Sequence, residues 1–217
     1  MVNVSISVVT GLMLALSASG AASAHSGSEK TAVTVTHSDG HALDGRFSLI
    51  NQDGVPVSET SFHGGPLLIY FGYTSCTDAC PLDAQKITDI VDELDTSGVS
   101  VAPIFITVDP QRDTPARLKE FLSAFHPRFV GLTGPAPAVH KVVMAYGSDD
   151  TKVNIKGPDS YDIDHPAIAY LMNAEGKFVE LVPLGDRADK IAEQIAATLG
   201  AGLDRESKNV APPVDEK

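Results

Sequence analysis

The chain has 217 residues and a formal net charge of −12 at pH 7, because 28 Asp and Glu residues outnumber 16 Lys and Arg residues. This acidic balance argues against nonspecific nucleic-acid binding, since phosphate contacts need clusters of Lys and Arg. The length is sufficient for one domain with a complete hydrophobic core.

Residues 1–24 have the pattern of a secretory signal peptide. They carry no charged side chain, and an apolar run around residues 11–16 leads to a small-residue cleavage pattern at Ala22-Ser23-Ala24. An uncleaved membrane anchor is the alternative, but polar residues interrupt the run, whereas a spanning helix needs about 20 mostly apolar residues. We therefore expect an exported protein, in a compartment where neighbouring cysteines tend to oxidise unless a metal or a reductant intervenes.

The remainder divides into three predicted parts. Residues 25–40 are small and polar and are expected to form a flexible lead-in. The folded domain is expected over 41–203, and the polar, Pro-containing segment 204–217 is predicted to be a disordered tail. At the start of the domain, Asp53-Gly54 stands between two apolar stretches and predicts a β-hairpin over 47–57.

The centre of the domain predicts alternating strands and helices. The unbroken apolar run 67–73 is typical of a central strand that is covered on both faces. A helix is predicted from Pro81 to a stop at Gly98, and a second strand over 101–108. Thr114-Pro115 is predicted to open the next helix, which extends through residue 125.

The last part predicts a short apolar segment, a helix, a hairpin and a final helix. The short segment is 129–132 and the helix 139–146. Residues 148–164 are polar and predict a long exposed loop with one short strand near 153–155. A hairpin is predicted over 167–182, and a helix from Asp186 to a stop at Gly200. This order predicts an α/β sandwich with a mixed central sheet and an N-terminal hairpin.

The only two cysteines, Cys76 and Cys80, stand between the central strand and the helix that follows it. A loop in that position lies at the carboxyl end of a parallel sheet, where ligands and catalytic groups gather. The positive end of the helix favours thiolate, so at least one sulfur is expected to have a lowered pKa. The spacing permits a structural disulfide, a redox couple or part of a metal site.

Two thiolates leave a metal site incomplete, and seven histidines are available as further ligands. His165 is placed differently from the others, because it stands at the junction between the long polar loop and the strand that begins near residue 167. Pro166 favours an extended backbone at His165. An imidazole at such a junction could reach a loop at the end of the sheet, although a lone histidine of this kind is more often an ordinary surface residue.

Several blocks of the sequence resemble, in the same order, the SCO/SenC family. These blocks span about residues 45–200 and are the runs 68–81, 105–114 and 130–134, followed by Asp164-His165. The resemblance implies a thioredoxin-like fold with helices on both faces of the sheet. It also implies a periplasmic metallochaperone or assembly factor, rather than a turnover enzyme, that delivers copper to or prepares the dinuclear copper site of cytochrome c oxidase.

Carried across by position, the copper ligands would be Cys76, Cys80 and His165. Thiolates suit Cu(I), and an imidazole lets such a site also hold Cu(II). The implied partner is a copper-accepting oxidase subunit or another copper chaperone, with membrane contact only through that partner unless the signal remains uncleaved. Two residues depart from the family pattern: Thr77, where Pro is usual, and Pro166, where Ser or Thr is usual.

Two other functions use the same sulfurs. A thiol-disulfide oxidoreductase or redox sensor would use Cys76 to attack and Cys80 to resolve the mixed disulfide. A peroxide-reducing enzyme is a more distant alternative, because the sequence offers no separate resolving cysteine and no clear activating arginine beside Cys76.

Overall fold

The computed structural model describes residues 43, 45–148, 152–154, 161–163 and 166–209. The strands in these ranges are β1 (Ser48–Asn51), β2 (Pro56–Ser58), β3 (Leu67–Gly72), β4 (Ala102–Thr107), β5 (Val130–Thr133), β6 (Lys152–Asn154), β7 (Tyr161–Ile163), β8 (Ile168–Met172) and β9 (Phe178–Pro183). The helices are α1 (Ala79–Thr96), α2 (Pro115–Leu122), α3 (Ala136–Ala145) and α4 (Ala188–Asn209). None of the helices in these ranges has an apolar stretch long enough to cross a membrane.

The main sheet has seven strands in the order β2-β1-β5-β4-β3-β8-β9. Strands β3, β4 and β5 run parallel, and β8 pairs antiparallel with the other side of β3. Tyr70 of β3 is therefore flanked by Phe105 of β4 and Ala169 of β8. The predicted mixed sheet is confirmed, as are the N-terminal hairpin of β1 and β2 and the hairpin of β8 and β9.

Strand β3 is buried on both faces, as its unbroken apolar sequence predicts. Leu68 and Tyr70 pack into a core formed with α1, α2 and α4, whereas Ile69 and Phe71 pack into a core formed with α3 and β1. Burial of each such side chain contributes about 1.5–3 kcal/mol. Helices therefore cover both faces of the sheet and leave its two edges and ends for other contacts.

Several helix boundaries differ from the predicted ones. Helix α1 begins at Ala79, ahead of Pro81, and α2 ends at Leu122, before the predicted residue 125. Thr114 caps α2 as predicted, with its hydroxyl accepting the N–H of Arg117 at 3.3 Å. Helix α4 continues past Gly200 to Asn209, because one glycine costs a helix only about 1 kcal/mol.

The predicted long loop over 148–164 is wrong in part. Strands β6 and β7 pair antiparallel within it, with Lys152 opposite Ile163 and Asn154 opposite Tyr161. Hydrogen bonds between backbones form such a ribbon whatever the polarity of the side chains, so the polar composition concealed the second strand. Ile163 is buried, which ties the end of this ribbon to the domain.

The parallel direction of β3, β4 and β5 brings their carboxyl ends to the same end of the sheet. The antiparallel β8 begins at that end. Gly72 ends β3 there, and a Cβ at this residue would lie 2.8 Å from Cε1 of Tyr70 and 3.0 Å from Cζ of Phe105. A glycine is therefore needed where the chain leaves β3 and enters the cysteine loop, residues 73–78.

The predicted signal peptide (1–24), the lead-in (25–40) and the last part of the tail (210–217) lie outside the described residues.

Candidate metal centre

The two cysteines lie together where the cysteine loop enters α1. Cys76 belongs to the loop and is half-buried, Cys80 is the second residue of α1 and is fully buried, and both are free thiols. The N–H of Cys80 donates to Sγ of Cys76 at 3.3 Å. The side chain of Asp78, the N-cap residue, makes no capping hydrogen bond, so the sulfur of Cys76 occupies the acceptor position at this helix end.

The surroundings of Cys76 favour its thiolate. Burial acts to raise the pKa of Cys76, but hydrogen bonds from the backbone N–H groups of Cys80 and Asp78 outweigh burial. The side chains of Cys80 and Tyr73 also hydrogen-bond to this sulfur, and the net pKa of Cys76 is lowered. The predicted effect of the helix N-terminus is therefore present at one of the two sulfurs.

Cys80 has the opposite character. Burial raises its pKa far above the ordinary thiol value, and the nearby charge of Cys76 raises it further. Burial also raises the pKa of the adjacent Tyr70, whose hydroxyl donates to Oδ2 of Asp83 at 2.8 Å. The pair thus combines one accessible sulfur that ionises readily with one buried sulfur that holds its proton.

Tyr73 connects the cysteine loop to the ribbon of β6 and β7. Its buried hydroxyl hydrogen-bonds to Cys76 and accepts the backbone N–H of Ile163 at 3.4 Å. Ile163 precedes the predicted ligand His165 by two residues, and Pro166 comes directly after His165. His165 itself lies outside the described residues.

Asp113 holds the cysteine loop through hydrogen bonds from Thr74. Its carboxylate is fully buried and accepts the N–H of Thr74 at 3.0 Å, the hydroxyl of Thr74 at 2.5 Å and the hydroxyl of Thr107 at 2.7 Å. Its backbone carbonyl accepts the hydroxyl of Thr133 at 2.8 Å. Asp113 therefore joins the carboxyl ends of β3 and β4 through its carboxylate and the end of β5 through its backbone carbonyl.

A second acidic residue, Asp109, holds Arg112 beside the loop. The buried carboxylate of Asp109 pairs with the Nε of Arg112. The guanidinium carbon of Arg112 lies 5.6 Å from the centre of the Tyr73 ring, within the range of a cation–π contact. Asp109, Arg112 and Asp113 belong to the run 105–114, to which the sequence interpretation assigned no role. Acidic residues in the loop that follows the buried strand β4 were the available signal.

The structure places two of the three predicted ligands, Cys76 and Cys80, at one point. Among the residues described, no group of three or more His, Cys, Asp or Glu side chains forms a metal-binding cluster. The donor set among the described residues consists of two sulfurs, one of them with a lowered pKa, and sulfur ligands are preferred by soft metal ions such as Cu(I).

Comparison with known proteins gives a consistent group of matches. The SCO1/SenC family profile matches residues 35–200. An SCO2-like protein of Rickettsia felis is 39% identical over 158 residues, which are 72% of this chain and 77% of the relative.

Two solved structures bear on the fold and the site. ScoI of Bradyrhizobium japonicum with copper bound has a TM-score of 0.66 and 38% identity, covering 73% of this chain and 100% of that one. BsSco, a Sco-family cytochrome c oxidase assembly protein in which a disulfide switch was identified, has a TM-score of 0.58 and 25% identity, covering 73% and 93%. The thioredoxin-like fold implied by the sequence resemblance is confirmed.

Proposed function

This chain belongs to the SCO1/SenC family, and on that basis we propose that it is an exported copper-binding assembly factor. It binds copper through Cys76, Cys80 and His165 and delivers it to, or prepares, the dinuclear copper centre of cytochrome c oxidase. Its partner is a copper-accepting oxidase subunit or another copper chaperone, and its compartment is the periplasm.

The observation that carries this proposal is the pairing of Cys76 and Cys80. The N of Cys80 lies 3.3 Å from Sγ of Cys76, and the pKa of Cys76 is lowered, so a sulfur that ionises more readily than an ordinary thiol lies beside a second thiol. Binding of a cation at the first sulfur favours loss of the proton from Cys80, because metal ligation needs the deprotonated thiol. Two thiolates match the preference of Cu(I) for soft ligands.

His165 is proposed as the third ligand from its position in the chain. Ile163 donates its N–H to the hydroxyl of Tyr73, which also hydrogen-bonds to Cys76. Two extended residues span about 7 Å at most, so the chain has the reach to bring a side chain from residue 165 to the sulfurs. After residue 165 in the chain, β8 begins at Ile168, at the same end of the sheet as the cysteine loop.

We expect the reduced protein to bind one Cu(I) per chain, and the His165→Ala variant to bind it at least about tenfold more weakly, because a nitrogen ligand is lost. An anaerobic titration against a chromophoric Cu(I) chelator measures both affinities. The matched control is His63→Ala. This variant removes an exposed histidine ahead of the amino end of β3, at the opposite end of the sheet from the cysteine loop. Equal affinities of the wild type and His165→Ala would rule out the three-ligand site.

A thiol-disulfide oxidoreductase is the second candidate, and the contrast between the two sulfurs favours it. Cys76 is half-buried with a lowered pKa, which suits an attacking thiolate, while the buried Cys80 suits a resolving thiol. This function needs no imidazole ligand. The His165→Ala variant therefore separates the two activities. It is expected to retain disulfide exchange, which uses only the sulfurs, and to lose copper affinity, which depends on the imidazole.

A further inference from the structure

Asp113 is a fully buried carboxylate that lies outside the proposed ligand set and holds the cysteine loop. Burying a charged group is costly unless hydrogen bonds replace the lost water. Here the compensation comes from three bonds, two of them donated by Thr74 at 3.0 and 2.5 Å and one by Thr107 at 2.7 Å. Hydrogen bonds to a charged acceptor are short and strong, so they constrain Thr74 tightly.

Thr74 passes this constraint to Cys76. Thr74 lies two residues before Cys76, and the N–H of Cys76 donates to the carbonyl of Tyr73 at 3.3 Å, which closes a turn around Thr74. The hydroxyl of Thr74 also accepts the Nε of Arg117 at 2.9 Å, so this residue is held from two sides. Asp113 lies 39 positions further along the chain and is fixed to the ends of β4 and β5.

We propose that Asp113 is a positioning residue for the cysteine pair: through Thr74 it holds the loop so that Cys76 stays at the N-terminus of α1 beside Cys80. The two sulfurs are thereby arranged before copper arrives, and less ordering is needed on binding. This role rests on the proposed copper-binding function.

The substitution Asp113→Asn keeps the shape of the side chain but cannot keep all three bonds to a charged acceptor. If the amide nitrogen takes the place of Oδ2, it faces the backbone N–H of Thr74, donor against donor. If it takes the place of Oδ1, it can donate to the Thr74 hydroxyl, which then accepts from both this amide and Arg117 and must direct its own proton elsewhere, and the charged acceptor is lost. Either orientation loosens Thr74.

We expect Asp113→Asn and Thr74→Val each to lower Cu(I) affinity by about 10- to 100-fold. This is the usual effect of losing a residue that positions a metal ligand. In the metal-free protein, the amides of the cysteine loop are expected to exchange hydrogen about tenfold faster, as when one bond to a charged acceptor is lost. Because both variants break the same contact, the double variant is expected to bind copper no more weakly than the weaker single variant.

The matched control is Thr88→Val. It removes a half-buried hydroxyl of α1 that donates to the carbonyl of Ala84 and accepts the N–H of His126, and it leaves every bond of Asp113 in place. It is expected to lower the melting temperature as the test variants do, with no change in copper affinity. Thr74 is only half-buried, so its valine variant tests the proposal even where Asp113→Asn does not fold.

The two proposals fail in distinguishable ways. If the wild type binds no Cu(I), the copper function is wrong. Comparison of hydrogen exchange in the cysteine loop between Asp113→Asn and Thr88→Val then still decides whether Asp113 holds the loop. If the wild type binds copper and both test variants bind it equally well, the positioning role is overturned. An equal loss of copper affinity in Thr88→Val would also overturn it, because the effect would then be general destabilisation.

Discussion

Replacing either Cys76 or Cys80 by Ser is expected to lower Cu(I) affinity by more than about 100-fold. This exceeds the loss expected when a residue that only positions a ligand is replaced. The reason is chemical. A serine hydroxyl does not ionise near neutral pH and is a hard ligand, whereas Cu(I) prefers soft thiolate. The measurement is competition with a chromophoric Cu(I) chelator under anaerobic conditions.

The control for these serine variants is Ser75→Ala, which alters the same loop and leaves both sulfurs. Circular dichroism establishes that each variant is folded, which matters most for Cys80 because it is fully buried. Serine variants that still bind copper with nearly wild-type affinity would contradict the assignment of these two ligands.

Cys76 is expected to be alkylated by iodoacetamide at least about tenfold faster than Cys80 at neutral pH, because each pKa unit between two thiols changes the thiolate fraction about tenfold. Hydrogen bonds from the backbone at the start of α1 lower the pKa of Cys76, and burial raises the pKa of Cys80. Mass spectrometry of the reduced, metal-free Cys80→Ser and Cys76→Ser variants measures each thiol alone.

The pH dependence gives the sign of this difference. Alkylation of Cys76 rises as the pH increases through its lowered pKa and levels off at a lower pH than the alkylation of an ordinary thiol. Cys80 stays protonated to much higher pH. A faster reaction at Cys80, or the same pH profile at both sulfurs, would show that the helix end does not distinguish them.

The sequence predicts the part of the site that depends on local pattern. The apolar run before Cys76 predicts a buried strand, and Pro81 and the apolar spacing after it predict a helix. The position of both cysteines at a strand-to-helix junction follows. The helix end also predicts a lowered pKa, without showing at which sulfur. That assignment needed the observed hydrogen bond from Cys80 to Cys76.

Contacts between residues far apart in the chain could not be predicted in the same way. Asp113 and Thr74 are 39 positions apart, and Tyr73 and Ile163 are 90 apart. Their contacts depend on strand order and register, which one sequence does not specify. The second strand of the ribbon was missed for a related reason, since its pairing uses backbone groups and leaves little trace in side-chain pattern.

X-ray absorption at the copper edge tests the central claim most directly. The wild-type chain loaded with one Cu(I) is expected to show two sulfur neighbours and one nitrogen neighbour, and His165→Ala is expected to lose the nitrogen and keep both sulfurs. Copper surrounded only by nitrogen and oxygen, or sulfur neighbours that persist when Cys76 and Cys80 are both replaced by Ser, would contradict a copper site built on this cysteine pair.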